Sequence, residues 1–336
     1  MSLAVVFSVL RPLLLALAVL ASAGLAAAQE FPQTFPHVYG ETVVPERPQR
    51  VVSIGYVGHD NLLALGIVPV GLRHWYGDTP RGVWPWAEAV LGDANPVVLR
   101  GEVSLEQVAA LSPDLILAIS SGITAEEYAV LSQIAPTIAS EAHYGSFGTP
   151  WQVQILTTAR AVGRLTQAEE QLAALEARIA DIRAAHPDWQ GMTAVAAYAW
   201  AGVPGAFRSS DSRTGLLNAL GFVTPAAIDS ASGAEFYTSF SPEDLSVLDT
   251  DLLVWIGDQD DGSGIRSLAL RQGLRAHQEG REIHADGMLA GALGHATLLS
   301  LPYALDRLIP EIEAAVDGDP ATPVPSAVAA GLAPRD

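Results

Sequence analysis

Four short, largely apolar runs constrain this chain more than any other feature: Arg50-Val51-Val52-Ser53-Ile54, Asp114-Leu115-Ile116-Leu117-Ala118-Ile119, Thr193 to Ala199, and Asp251-Leu252-Leu253-Val254-Trp255-Ile256. Runs of this length suit strands buried on both faces. The first is followed by a helical segment at Asp60–Gly66, the second by one at Ala125–Ile134 that Ala135-Pro136 closes, and the later pair repeats the grammar. That alternation is what parallel α/β sheets produce, and with two runs in each half it predicts two α/β lobes. Between them Thr166 to Ala185 carries Leu172, Leu175, Ile179 and Ile182 at spacings of three and four. Such a helix is roughly 30 Å long, and ends at His186-Pro187; pattern alone leaves open whether it is an ordinary crossover or a rigid strut between lobes. A chain of 336 residues, 49% of them hydrophobic, has material for two cores.

Arg11 precedes the apolar run Pro12 to Leu20, and small residues follow, ending Ala26-Ala27-Ala28. This predicts a signal peptide over residues 1–28; the run is shorter than the ~20 residues that span a bilayer. The remainder divides into an N-terminal lobe (29–165), the connecting helix (166–187), a C-terminal lobe (188–316) and a tail (317–336). The tail, with Asp317-Gly318-Asp319-Pro320 and Pro323-Val324-Pro325, shows no stable period and is expected to be disordered. All 18 basic residues are arginine, against 37 acidic ones, for a net charge of −19 that becomes −20 once Arg11 is removed. Nucleic acid and anionic membranes are poor partners for such a surface. No cysteine is present, which excludes disulfides, thiolate metal sites, cysteine nucleophiles and an acylated N-terminal cysteine. The expectation is a soluble monomer free in a Gram-negative periplasm.

One segment recurs. Ser104-Leu105-Glu106, with Asp114-Leu115 ten residues after the serine, matches Ser241-Pro242-Glu243, with Asp251-Leu252 at the same offset. Each serine is placed to cap a helix, with Gln107 or Asp244 three residues on and Pro242 at a favourable first position. Glu106 and Glu243 then occupy matching sites, one per lobe. An acidic first turn also simply complements the helix dipole, but a matched pair suits docking onto a basic, pseudo-symmetric partner.

The signal peptide, the opening Pro45-Glu46-Arg47-Pro48-Gln49-Arg50-Val51-Val52-Ser53, the segment Leu62 to Gly71 and the two S-x-E starts together resemble the periplasmic ferric-siderophore-binding proteins of ABC importers, over roughly residues 38–315. The resemblance implies a class III periplasmic binding protein: two Rossmann-like lobes, a long interlobe helix, a ligand cleft between the lobes and small hinge motion. It implies that Glu106 and Glu243 pair with arginines on the permease subunits, downstream of an outer-membrane receptor pathway. Ferric hydroxamate binders are nearest, through Val98-Leu99-Arg100-Gly101-Glu102-Val103-Ser104-Leu105-Glu106, so that Arg100 would reach the oxygens around iron. Tyr237, in Glu235 to Phe240, falls where such proteins carry an aromatic ligand contact. The iron would belong to the ligand, with no protein cofactor; heme and cobalamin are other ligands of this fold.

The residues themselves point to a cleft. His74 to Trp86 concentrates Trp75, Tyr76, Trp84 and Trp86 in a Gly/Pro-punctuated loop. Trp75 and Tyr76 follow a strand-like run, as Tyr56 follows the first strand, at the strand ends where α/β sheets bind ligands. Trp84 and Trp86 are expected to fold back as a loop core. Arg208 suits recognition of ligand oxygens, whereas Arg213 reads as a surface partner of Asp211. The eight histidines show no H-E-x-x-H or H-x-H spacing, so a free zinc or manganese site would need ligands from distant positions. Asp258 to Gly264 resembles a calcium loop but lacks its full pattern, and Gly202 to Ala206 reads as a loop. With no G-x-S-x-G and no phosphate loop with lysine, the chain is expected not to be an enzyme.

Overall fold

A computed structural model of the chain describes residues 30–230, 236–257 and 262–334. The predicted signal peptide, Glu235 and Asp258 to Asp261 of the acidic turn lie outside the described residues. The strands are β1 Gln33–His37, β2 Gly40–Val44, β3 Val51–Ser53, β4 Gly71–Arg73, β5 Val97–Leu99, β6 Leu115–Ala118, β7 Thr137–Ala139, β8 Ala194–Trp200, β9 Val203–Phe207, β10 Tyr237–Ser239, β11 Leu252–Ile256 and β12 Glu282–Ala285. The helices are α1 Gly58–Ala64, α2 Pro85–Leu91, α3 Leu105–Ala110, α4 Ala125–Ile134, α5 Trp151–Ala161, α6 Leu165–Ala185, α7 Ser212–Ala219, α8 Ala226–Ser230, α9 Ser263–Arg266, α10 Arg275–Gln278, α11 Gly287–His295, α12 Ser300–Ala315 and α13 Pro325–Ala329.

In the N-terminal lobe β5-β4-β3-β6-β7 form one parallel sheet, with the β1–β2 hairpin apart from it. The chain winds outward from β3 through β4 and β5, then returns beside β3 as β6, so the strand order reverses between β3 and β6. Crevices for ligands open at the carboxyl ends of strands at such a switch point. Tyr56, His74 to Tyr76, Arg100 and Ser120-Ser121 all follow strand ends on that edge. The C-terminal lobe has the order β10-β9-β8-β11-β12; β8, β11 and β12 run parallel, while β9 and β10 pair antiparallel.

Helix α6 resolves the choice left by its sequence. Its Leu175 and Ile179 belong to one continuous core that includes Phe35, Leu62 and Leu115 of the first lobe and Leu217, Val254 and Leu305 of the second. Gln171 donates to the Ala64 carbonyl of α1 at 3.1 Å, and Arg178 meets Asp306 of α12 at 2.5 Å. The helix is therefore an interlobe strut.

Three expectations need correction. The described part of the tail, 317–334, is not disordered: α13 buries Ala327, and Val324, Ala330 and Leu332 are buried around it. Four small apolar residues at spacings of three, three and two leave too short a trace for a period, but they cover the β12 side, where Ser326 Oγ accepts from the His284 N–H at 3.0 Å. Gly202 to Ala206 is no loop; a two-residue turn at Ala201-Gly202, φ 49° and 78°, leads straight into β9. The second S-x-E segment forms no helix start. Ser104 caps α3 by accepting the Gln107 N–H at 3.3 Å. By contrast, Asp244 accepts the Ser246 N–H at 3.0 Å, and a turn with a three-residue 3-10 segment, Ser246–Leu248, takes the helix's place. An aspartate that bonds two residues ahead competes with helix formation.

None of the described helices is long and apolar enough to cross a membrane.

Candidate functional site: an aromatic interlobe cleft

The N-terminal wall is built at the ends of β3 and β4. Arg73, the last residue of β4, donates to the Ser121 carbonyl at 2.9 Å, and this holds its guanidinium 4.3 Å above the Tyr56 ring. Tyr56 lies 5.4 Å from Trp75 and 6.1 Å from Phe147, and both of these rings are substantially exposed. Tyr56, Trp75 and Tyr76 are thus brought together as expected from their strand-end positions, with Trp75 and Tyr76 edge-on at 4.7 Å. Trp84 and Trp86 do fold back, stacked at 5.0 Å with planes 2° apart, and the Trp86 indole donates to Asp60 at 2.7 Å. Gly77 makes that closure feasible: at φ +85° a Cβ would stand 2.9 Å from the Trp84 ring.

The C-terminal wall grows from β8, β9 and β10. Tyr198 stacks on Trp200 at 3.9 Å, and Tyr237 stands edge-on to both near 6 Å. Tyr237 sits opposite Phe207 in the β9–β10 register, and the Arg213 guanidinium lies 4.2 Å over the Phe207 ring. Arg213 does pair with Asp211, at 3.0 Å, but not at the surface: the two side chains are 12% and 9% exposed. Arg208 bonds the Asp229 carbonyl of α8, while the neighbouring Ser209 N–H is taken by the Asp229 carboxylate at 2.9 Å.

His295, at the end of α11 in the C-terminal lobe, packs against the rings of the N-terminal wall. Its imidazole lies 5.3 Å from Trp75 and 5.4 Å from Trp86, and burial pushes its pKa down to about 4. Burial also lowers His59. Asp60, fully buried beneath them, accepts from Trp86 and from the Thr297 hydroxyl at 3.0 Å, a bond that crosses between lobes. At one side of this seam a cavity of about 660 Å³ is lined by Gly77, Asp78, Thr79, Trp84, Pro85, Gly287 and Met288. Arg100 is exposed and donates to the Thr79 and Pro80 carbonyls, at 2.9 and 3.1 Å, on the cavity's Thr79 side. Glu106 and Glu243 are both solvent-exposed. Among the described residues no three His, Asp or Glu gather as a metal site.

Sequence alone does not single out Arg73, Phe147, Tyr198 or Trp200, and it reads Arg213 as a surface partner of Asp211 and His295 as a structural or surface residue. Arg73 was within reach of the strand-end rule that singled out Trp75. His295 had a trace in Gly291-x-x-Gly294-His295, where small residues allow close approach: a Cβ at Gly291 would stand 2.9 Å from Trp84. Arg213 had none, because pairing with Asp211 looks the same at a surface and in a cleft.

Two solved structures share this architecture. A periplasmic solute-binding protein from Mycobacterium smegmatis is 33% identical, with 84% of this chain and 97% of that one covered and a TM-score of 0.74. PiaA of Streptococcus pneumoniae, solved in complex with ferrichrome, is 26% identical over 85% and 99%, with a TM-score of 0.72. In sequence, a probable siderophore-binding lipoprotein, YfiY of Bacillus subtilis, is 32% identical over 45% of each chain; the match spans about half the length of that curated relative. The periplasmic binding protein family matches residues 51–287. Its members are binding proteins and not enzymes, and the fold of two Rossmann-like lobes on a long helix is its class III form. On that match and that fold, this chain belongs to the periplasmic binding protein family.

Proposed function

We propose that the protein binds an iron(III)-siderophore, of hydroxamate type, in the interlobe cleft and delivers it to an ABC importer of the inner membrane. The observation that carries this reading is the set of aromatic rings at the strand ends of both lobes, Tyr56, Trp75 and Phe147 in the first and Trp200 and Tyr237 in the second, with Arg73 over the Tyr56 ring and Arg213 over Phe207. Aromatic faces suit the apolar exterior of a chelate, and a few fixed cations suit its oxygens. The iron is cargo held by the chelator, without a protein cofactor. Arg73 and Arg213 flank the cleft, and Arg100 would turn from the Thr79 and Pro80 carbonyls toward ligand oxygens. A net charge of −19 disfavours a highly anionic catecholate complex and favours a less charged hydroxamate. The ferrichrome complex of PiaA supports the same choice.

Three of the chain's seven tryptophans, Trp75, Trp84 and Trp86, line this seam, so intrinsic fluorescence reports occupancy directly. Titration with ferrichrome, ferrioxamine, ferric citrate, a ferric catecholate, heme, cobalamin and free zinc or manganese, each chelate against its iron-free form, tests the reading. Saturation by a ferric hydroxamate below micromolar is expected, weakened by Arg100→Ala by about 1–3 kcal/mol, the worth of a charge-assisted hydrogen bond. Saturation by a bare divalent metal alone would overturn it.

A further inference from the structure

His295 belongs to the C-terminal lobe, yet its ring is surrounded by rings of the other lobe. Trp75, Tyr76, Trp84 and Trp86 approach it with centroids 5.3, 6.1, 5.7 and 5.4 Å away. Its orientation is fixed from within α11: Nδ1 lies 2.8 Å from the Gly291 carbonyl, which can only accept, so Nδ1 carries the proton of the neutral ring. The helix then stops at Ala296 in a left-handed conformation, φ 48°, uncommon for a residue with a side chain. That turn brings Thr297 and Leu298 onto α1, where the Thr297 hydroxyl donates to Asp60 and the Leu298 N–H approaches Asn61 Oδ1 at 3.4 Å. The imidazole is thus held from below by a polar interlobe contact and faced from above by the aromatics of the cleft.

We propose that His295 is a positioning residue for ligand binding: its neutral imidazole, seated between the lobes, holds Trp75 and Tyr76 where the ligand meets them, and its protonation unseats them. This rests on the cleft reading above. Trp75 needs such a support, being 37% exposed on a loop. The charged and titratable groups around the imidazole come from three elements: Asp60 and His59 of α1, Arg213 of α7, and Tyr76 of the loop after β4. Asp60 favours a charged ring, but it already serves Trp86 and Thr297, while His59 and Arg213 oppose the charge and burial outweighs all of them. The seated ring therefore takes up a proton only near pH 4, whereas a ring released to water does so near its ordinary 6.5. Between those values only the released form binds the proton, so acid shifts the equilibrium toward release and affinity falls as pH drops through that window.

The test compares the whole protein with His295→Phe and His295→Gln, neither of which can titrate, in ferrichrome titrations from pH 7.5 to 4.5. The wild type is expected to lose affinity by about ten-fold or more, and the variants by less than about two-fold, whatever their affinity at pH 7.5. Acid effects on ferrichrome itself are common to all three and cancel. Without ligand, the wild-type tryptophan emission is expected to change with a midpoint between the seated and released values, about pH 5.5 for a ten-fold loss of affinity by pH 4.5, a change absent from either variant that retains its native circular dichroism. Identical pH profiles in wild type and variants would overturn the role of His295. Failure of the wild type to bind ferrichrome at any pH would instead count against the proposed ligand, while the ligand-free emission profile would still decide the role of His295.

Discussion

Glu282 shows what a single carboxylate demands when it is 2% exposed. Its Oε1 accepts from the Trp255 indole at 2.7 Å, and its Oε2 is met by His277 Nδ1 at 2.7 Å and by the Arg271 guanidinium. Arg271, itself buried, also donates to the Leu332 carbonyl at 3.1 Å and so ties the C-terminal tail to the same cluster. Removing one member of a buried ion pair strands the other charge, at a cost of about 3–5 kcal/mol. Glu282→Ala is therefore expected to destabilise the fold by that amount in urea unfolding, and Glu282→Gln, which keeps an acceptor for the indole, by less. A loss below about 1 kcal/mol would mean that solvent reaches the cluster. Nothing in the one-dimensional pattern marks Glu282, because the partners of this buried charge come from other elements, and nothing in it shows that the Arg213–Asp211 pair is buried. Tyr56, Trp75 and Tyr76 were legible because a strand end is a local feature and its meaning follows from sheet topology.

The turn between β8 and β9 makes the comparable point for an element. Trp200 pairs with Val203, and the two residues between them, Ala201 and Gly202, both have positive φ. This is the type I′ hairpin geometry, which Asn-Gly satisfies best and which strains an alanine. Ala201→Asn is expected to raise stability by about 0.5–1 kcal/mol, read as an upward shift in Tm, while Ala201→Val lowers it. Equal Tm values for wild type and both variants would show the turn to be unstrained. The alanine hid the hairpin, since the residues that ordinarily announce such a turn are absent and Pro204 and Gly205 suggest a loop. The paired S-x-E segments differ in the opposite sense: their sequences match, but Gln107 leaves the backbone free to form α3, whereas Asp244 binds it into a turn. Long periodic elements, α6 above all, were legible because their apolar spacing is their packing surface.

For the whole molecule, the strut and the shared core limit how far the lobes can move apart. With α6 bonded to α1 at one end and to α12 further along, and with the Asp60–Thr297 contact between them, the external faces of the two lobes keep a nearly fixed relation. A fixed relation is what a two-point docking surface requires, and Glu106 and Glu243 are exposed, one on each lobe. Loss of the helical equivalence of Glu243 does not remove that condition, because docking to a basic partner depends on where a carboxylate is exposed and not on the element that carries it. Both are surface residues, for which substitution ordinarily changes stability by no more than about 0.5 kcal/mol. Glu106→Ala with Glu243→Ala is therefore expected to leave ferric-ligand affinity within about two-fold, since both carboxylates are exposed to solvent, and to abolish most uptake of iron by cells that depend on this protein. Each single variant should retain intermediate uptake, with loss growing at higher ionic strength as the remaining contact is screened. Full uptake by the double variant would remove both carboxylates from the docking surface, whereas weakened ligand binding would mean that the lobes are coupled to them through a route other than the partner.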